Sequence, residues 1–128
     1  MAAGGITIRA AHYPGRAPID SYGNGGFRFA GMSHRGSLLC LPSGIYGWET
    51  PAAIDEASLG RVFEEAEAIE VLLVGTGRDL TPLDPTLRQR LREQAIVAEA
   101  MSTGAAVRTF NVLLAENRAV AAALVVEV

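Results

Sequence analysis

The chain has 128 residues, of which 49% are hydrophobic, a formal net charge of -3 and a single cysteine. That length suits one hydrophobic core and one domain spanning 1–128, and the lone Cys40 excludes an internal disulfide and a multi-cysteine zinc centre. All eleven basic residues are arginine, which excludes a Schiff-base lysine, a pyridoxal phosphate lysine and a P-loop lysine.

Negative net charge, with no basic stripe interleaved with aromatics, argues against nucleic-acid binding. The longest strongly apolar run, Ala119 to Val126, is far short of the roughly 20 residues of a spanning helix, so no transmembrane segment is expected. The first residues lack a basic n-region followed by a long apolar stretch, so no secretory signal is read and a cytoplasmic protein is the expectation.

In chain order, Gly4 to Asn24 is rich in Gly and Pro, with short strands expected at Ile6–Ile8 and Ile19–Tyr22; residues 1–18 are expected to be loosely held. Phe27-Arg28-Phe29 alternates as a half-buried strand does, and Ser37 to Leu41 is a continuous run around Cys40, which reads as a buried, inert thiol. Gly31 to Gly36 reads as the hairpin turn between them, giving an N-terminal β-hairpin. After Pro42-Ser43-Gly44, a strand over Ile45–Trp48 puts Tyr46 and Trp48 on one side, as core cover or as a surface for a partner or a second copy.

Leu59, Val62, Phe63, Ala66 and Ile69 form one face of a helix expected over Ile54–Ile69. Val71-Leu72-Leu73-Val74-Gly75 reads as a strand covered on both sides. Asp84-Pro85 supplies an N-cap and a first-turn proline for a helix through Glu93, and Ile96–Ala98 is the next strand, expected to break at Ala100-Met101. This strand, helix, strand order predicts two parallel strands with a right-handed crossover. Ser102 caps a third helix, Asn117 supplies its left-handed end, and Ala119–Val126 reads as a central strand, giving an α/β domain in three layers with three helices.

Chemistry is expected where the Gly75-Thr76-Gly77 bend meets the start of the third helix. Glycines after a strand let backbone N–H groups approach a phosphate, but Leu80 stands where a dinucleotide fingerprint needs its third glycine, and a tight turn is the simpler reading. Free N–H groups at Thr103, Gly104 and Ala105 favour an anion, with Glu99, Met101, Ser102, Arg108 and Asn111 nearby. Glu99 reads first as a structural cap or an Arg partner, and Ser102 as a cap without a nucleophile elbow. His12 and His34 read as exposed turn residues without a supporting carboxylate, so neither a metal nor another cofactor is expected. Acidic residues crowd Glu49–Glu70, whereas Arg88, Arg90 and Arg92 crowd the second helix; these read as solvated faces or as complementary patches for a partner.

Val71 to Gly77, the run Glu99–Leu114, and Glu116-Asn117-Arg118 resemble the small domain family of unknown function that includes mitochondrial complex I assembly factor 3. The resemblance extends from Tyr22 onward and takes in Gly36-Ser37, Pro42 and Trp48; Ser102, Val107 and Phe110 depart from an Asp, a Cys and a Tyr of the family pattern. It implies a mixed five-stranded sheet, with the last strand inside it and running against its neighbours. It also implies an assembly-factor-like protein that works by protein contacts, with no established enzymatic activity. The residues alone leave a second expectation open, a small-molecule or anion site, with or without enzymatic activity, at Gly75–Gly77 and the helix start at Ser102.

Overall fold

The computed structural model describes residues 12–127; the strand expected at residues 6–8 lies outside them. The main sheet has six strands: β1 (Tyr13–Pro14), β5 (Ser37–Leu41), β6 (Gly44–Trp48), β7 (Val71–Gly75), β8 (Val97–Met101) and β9 (Val120–Leu124), in the spatial order β1-β6-β5-β9-β7-β8. Its five longer strands are the mixed sheet expected, and the two-residue β1 adds an edge by pairing Tyr13 and Pro14 with Ile45 and Gly44. A separate three-stranded sheet comprises β2 (Ile19–Gly23), β3 (Gly26–Phe29) and β4 (Met32–Arg35).

The small sheet corrects the expected N-terminal hairpin. Met32–Arg35 is a strand, not a turn; Phe29 pairs with Met32, and Ser37–Leu41 belongs to the main sheet, where it pairs with β6. Ala30 and Gly31 make the tight turn, both with positive φ (50° and 76°), as a two-residue hairpin with the right strand twist requires. Asn24 and Gly25 do the same between β2 and β3.

β7 and β8 run parallel, as the crossover through α2 (Pro85–Glu93) demands. β9 is fully buried between β7 and β5; it runs parallel to β7 and antiparallel to β5, so it opposes only one of its two neighbours. The helix expected over Ile54–Ile69 is much shorter: α1 covers Gly60–Glu64, followed by a single 3-10 turn at Ala66–Ala68. Asp55 and Ser58 exchange hydrogen bonds in a capped turn instead, with Ser58 N–H on Asp55 Oδ1 and Asp55 N–H on Ser58 Oγ, both at 2.9 Å. Such local side-chain bonds offer the backbone an alternative to helix.

Two cores flank the main sheet. On one face Leu59, Val62, Leu87 and Leu91 pack against Leu39, Leu72, Val74 and Ala121. On the other, α3 (Thr103–Ala115) and the small sheet bury Phe27, Phe29, Val107 and Phe110 against Leu38, Leu73 and Ala122. Cys40 is buried here, and burial pushes its thiol far above the ordinary range, so it packs as an inert apolar group.

Candidate functional site

The strand crossover brings the Gly75–Gly77 bend against the start of α3. β8 continues to Met101 rather than ending at Ala98, and its Met101 carbonyl accepts the Thr76 N–H at 2.9 Å. Ser102 caps α3, its Oγ accepting the Ala105 N–H at 3.3 Å. Thr103 donates its N–H to the Gly77 carbonyl at 2.8 Å, and its Oγ1 accepts the Gly77 N–H at 2.9 Å. Gly75 is fitted to this junction, because a Cβ there would lie 2.9 Å from the Thr103 Cα. The Thr76 hydroxyl is held in the following loop: it lies 2.6 Å from the Asp79 carbonyl and accepts the Thr81 N–H at 2.9 Å. Six of the expected residues, Gly75, Thr76, Gly77, Met101, Ser102 and Thr103, thus form one junction whose polar groups bond to one another and to neighbouring backbone.

The remaining three go elsewhere. Asn111 reads the backbone of Ile19 in both directions: its Oδ1 accepts the Ile19 N–H at 2.9 Å, and its Nδ2 donates to the Ile19 carbonyl at 2.8 Å. It ties the small sheet to α3. Glu99 and Arg108 are exposed, and neither forms an ion pair within 4.0 Å among the described residues. Tyr22 packs over Gly104, where any side chain would collide with its hydroxyl, so an aromatic ring covers the first turn of α3.

Trp48 is 8% exposed and donates its indole N–H to the Ser58 carbonyl at 2.8 Å, so it packs into the core. Tyr46 is half-buried, bonded through its hydroxyl to Ser43 at 2.5 Å, with the Arg61 guanidinium 4.2 Å above its ring. The two charged segments meet within the chain: Arg90 of α2 grips Glu56 with two N–H groups, at 2.9 and 3.0 Å, and reaches Glu93 at 3.1 Å. The hydrogen bonds from Arg90 hold the Glu56 carboxyl below the usual range.

The histidines form a grouping that sequence reading did not reach. His34 is a half-buried strand residue, not a turn residue, and its ring lies 4.7 Å from that of His12, tilted by 49°. Burial is the largest cause holding the His34 imidazole below its ordinary value; repulsion from His12 adds to it, and the Ser37 carbonyl, 3.1 Å from Nε2, opposes both. Nothing in the spacing of the two residues signals this meeting, because it depends on His12, just before β1, and His34 of β4 both coming against Gly47 of β6.

No group of three or more metal-ligating side chains occurs among the described residues, and no helix there is long and apolar enough to cross a membrane. The chain is 40% identical over 116 residues to an uncharacterized protein of Rhodobacter capsulatus, covering 91% of this chain and 90% of that one. It is 32% identical over 122 residues to the mouse NADH dehydrogenase [ubiquinone] 1 alpha subcomplex assembly factor 3, covering 94% of this chain but 66% of the assembly factor. The chain therefore spans just under two thirds of that relative. A crystal structure described as an outer membrane protein from Bartonella henselae superposes with a TM-score of 0.88 at 61% identity, covering 91% of this chain and 100% of that one. Residues 19–125 match the family described as Protein of unknown function (DUF498/DUF598), and the chain belongs to that family.

Proposed function

We propose that this protein acts through contacts with other proteins, as an assembly-factor-like protein for a respiratory NADH dehydrogenase. The observation that carries this reading is the 32% identity to the mouse assembly factor, spread over 94% of this chain rather than confined to one motif. The rim of the sheet supports it. The Gly77 N–H and the Thr103 hydroxyl, which would otherwise be donors for a ligand, are bonded to each other, and Thr103 is fully buried.

The test is crosslinking in the native host followed by capture of a tagged copy, together with native gels of respiratory complexes from a deletion strain. Enrichment of NADH dehydrogenase subunits, with loss of the assembled enzyme on deletion, is the expected result. Normal levels of assembled enzyme in the deletion strain would overturn the reading.

A further inference from the structure

A cleft of about 540 Å³ opens between β4 and β6, lined by His12, His34, Arg35, Tyr46, Trp48 and Arg61. Gly47 makes room for both imidazoles: a Cβ there would lie 3.0 Å from Cε1 of His34 and 3.2 Å from Nε2 of His12. Each histidine is held from behind, His12 by its backbone N–H on the Ile45 carbonyl at 2.7 Å, and His34 by Nε2 on the Ser37 carbonyl at 3.1 Å. A neutral His34 thus carries its proton on Nε2, leaving Nδ1 without it.

The charges in the cleft are unbalanced. Arg35 and Arg61 are permanently cationic, and neither forms an ion pair within 4.0 Å among the described residues. Glu49 is the one carboxylate among the lining residues. Arg61 is positioned by the Tyr46 ring, which is itself anchored through its hydroxyl to Ser43. His12 precedes the family-matched residues 19–125, so the cleft draws on a residue outside that match as well as on residues within it.

We propose that this cleft binds a doubly charged oxyanion group, the chemistry shared by phosphorylated and dicarboxylic small molecules. Arg35 and Arg61 supply fixed positive charge, His12 lines the cleft beside them, and His34 becomes charged as the anion enters. In the empty cleft burial disfavours the His34 imidazolium and His12 repels it. An oxyanion reverses that balance, so binding takes up protons and tightens as pH falls. The charged or titratable groups facing the pair are Arg35 on β4, Tyr46 on β6, Glu49 just beyond it, and Arg61 on α1; imidazole is the side chain whose charge changes nearest neutrality.

The test is imidazole and backbone NMR on the full chain, titrated with sodium sulfate and separately with sodium oxalate, two dianions that keep their charge across the range. Saturable shifts at both imidazoles are expected, with affinity higher by about fivefold at about pH 5.5 than at about pH 7.5. Arg61→Gln and Arg35→Gln, both at exposed positions, should each weaken binding by about fivefold or more with the backbone spectrum otherwise unchanged. Gly47→Ala keeps every charge but displaces the rings, and should also weaken it. Preference for sulfate marks a phosphorylated ligand, and preference for oxalate a dicarboxylate. No saturable shift with either anion overturns the proposal, as does equal affinity at both pH values or undiminished binding in both arginine variants.

Discussion

The hydroxyl of Thr103 accepts the Gly77 N–H at 2.9 Å and donates to the Val125 carbonyl at 2.6 Å, so one buried side chain joins three segments of the rim. Thr103→Val keeps the shape and strips both bonds. The variant should lose about 2–4 kcal/mol of unfolding free energy in urea, because each buried group left unpaired costs about 1–3 kcal/mol. Thr103→Ser should recover most of that loss. A valine variant as stable as the parent would mean that the hydroxyl is not what holds the rim.

The meeting of bend and helix was legible in the sequence, since a βαβ crossover forces two parallel neighbours to end at the same rim. What the meeting does was not legible. Ser102 announces itself as a cap, but the partners of Thr103 lie on Gly77 and Val125, and local spacing says nothing about which strand β9 will lie beside. Likewise Arg108 and Asn111 sit one helical turn apart, yet Asn111 is turned toward Ile19 while Arg108 stays exposed.

Asn111 stands in for a strand, donating to and accepting from the same residue of β2. Asn111→Ala should destabilise the domain by about 1–3 kcal/mol, by leaving the N–H and carbonyl of Ile19 short of partners. Because the bond joins the small sheet to α3, amide exchange should accelerate most at Ile19 and along β2. Uniform acceleration across both sheets would argue that the small sheet has no stability of its own to lose.

Ala95 holds φ at 64° at the end of α2, where its N–H reaches the Arg92 carbonyl at 2.8 Å and Ile96 N–H reaches Leu91 at 3.0 Å. This is the left-handed helix end that glycine favours. Ala95→Gly should stabilise the protein by about 1 kcal/mol, since the left-handed conformation costs an L-residue about 1–2 kcal/mol and glycine's extra unfolded freedom takes part of that back. The thermal midpoint should rise; a fall would mean that the Ala95 methyl contributes packing. Asn117, at φ 60° after α3, was readable as such an end because Asn tolerates this region, whereas alanine carries no such signal. The same limit explains α1: the apolar spacing from Leu59 to Ile69 is real, but it is divided between a five-residue helix and a 3-10 turn.

His34 links stability to pH with a definite sign. Its folded-state pKa lies below the ordinary 6.5, chiefly through burial, so between those two values the unfolded chain binds a proton that the folded chain does not. The stability this group contributes is complete above about 6.5, falls as pH drops toward the folded value, and levels off below it. Urea midpoints measured from about pH 7.5 down to about pH 5 should therefore decline, and His34→Gln, which cannot gain charge, should flatten the decline. Glu56, held below its ordinary 4.5 by Arg90, belongs to a more acidic window and does not confuse the comparison. An identical pH profile in His34→Gln would place the proton uptake on another group.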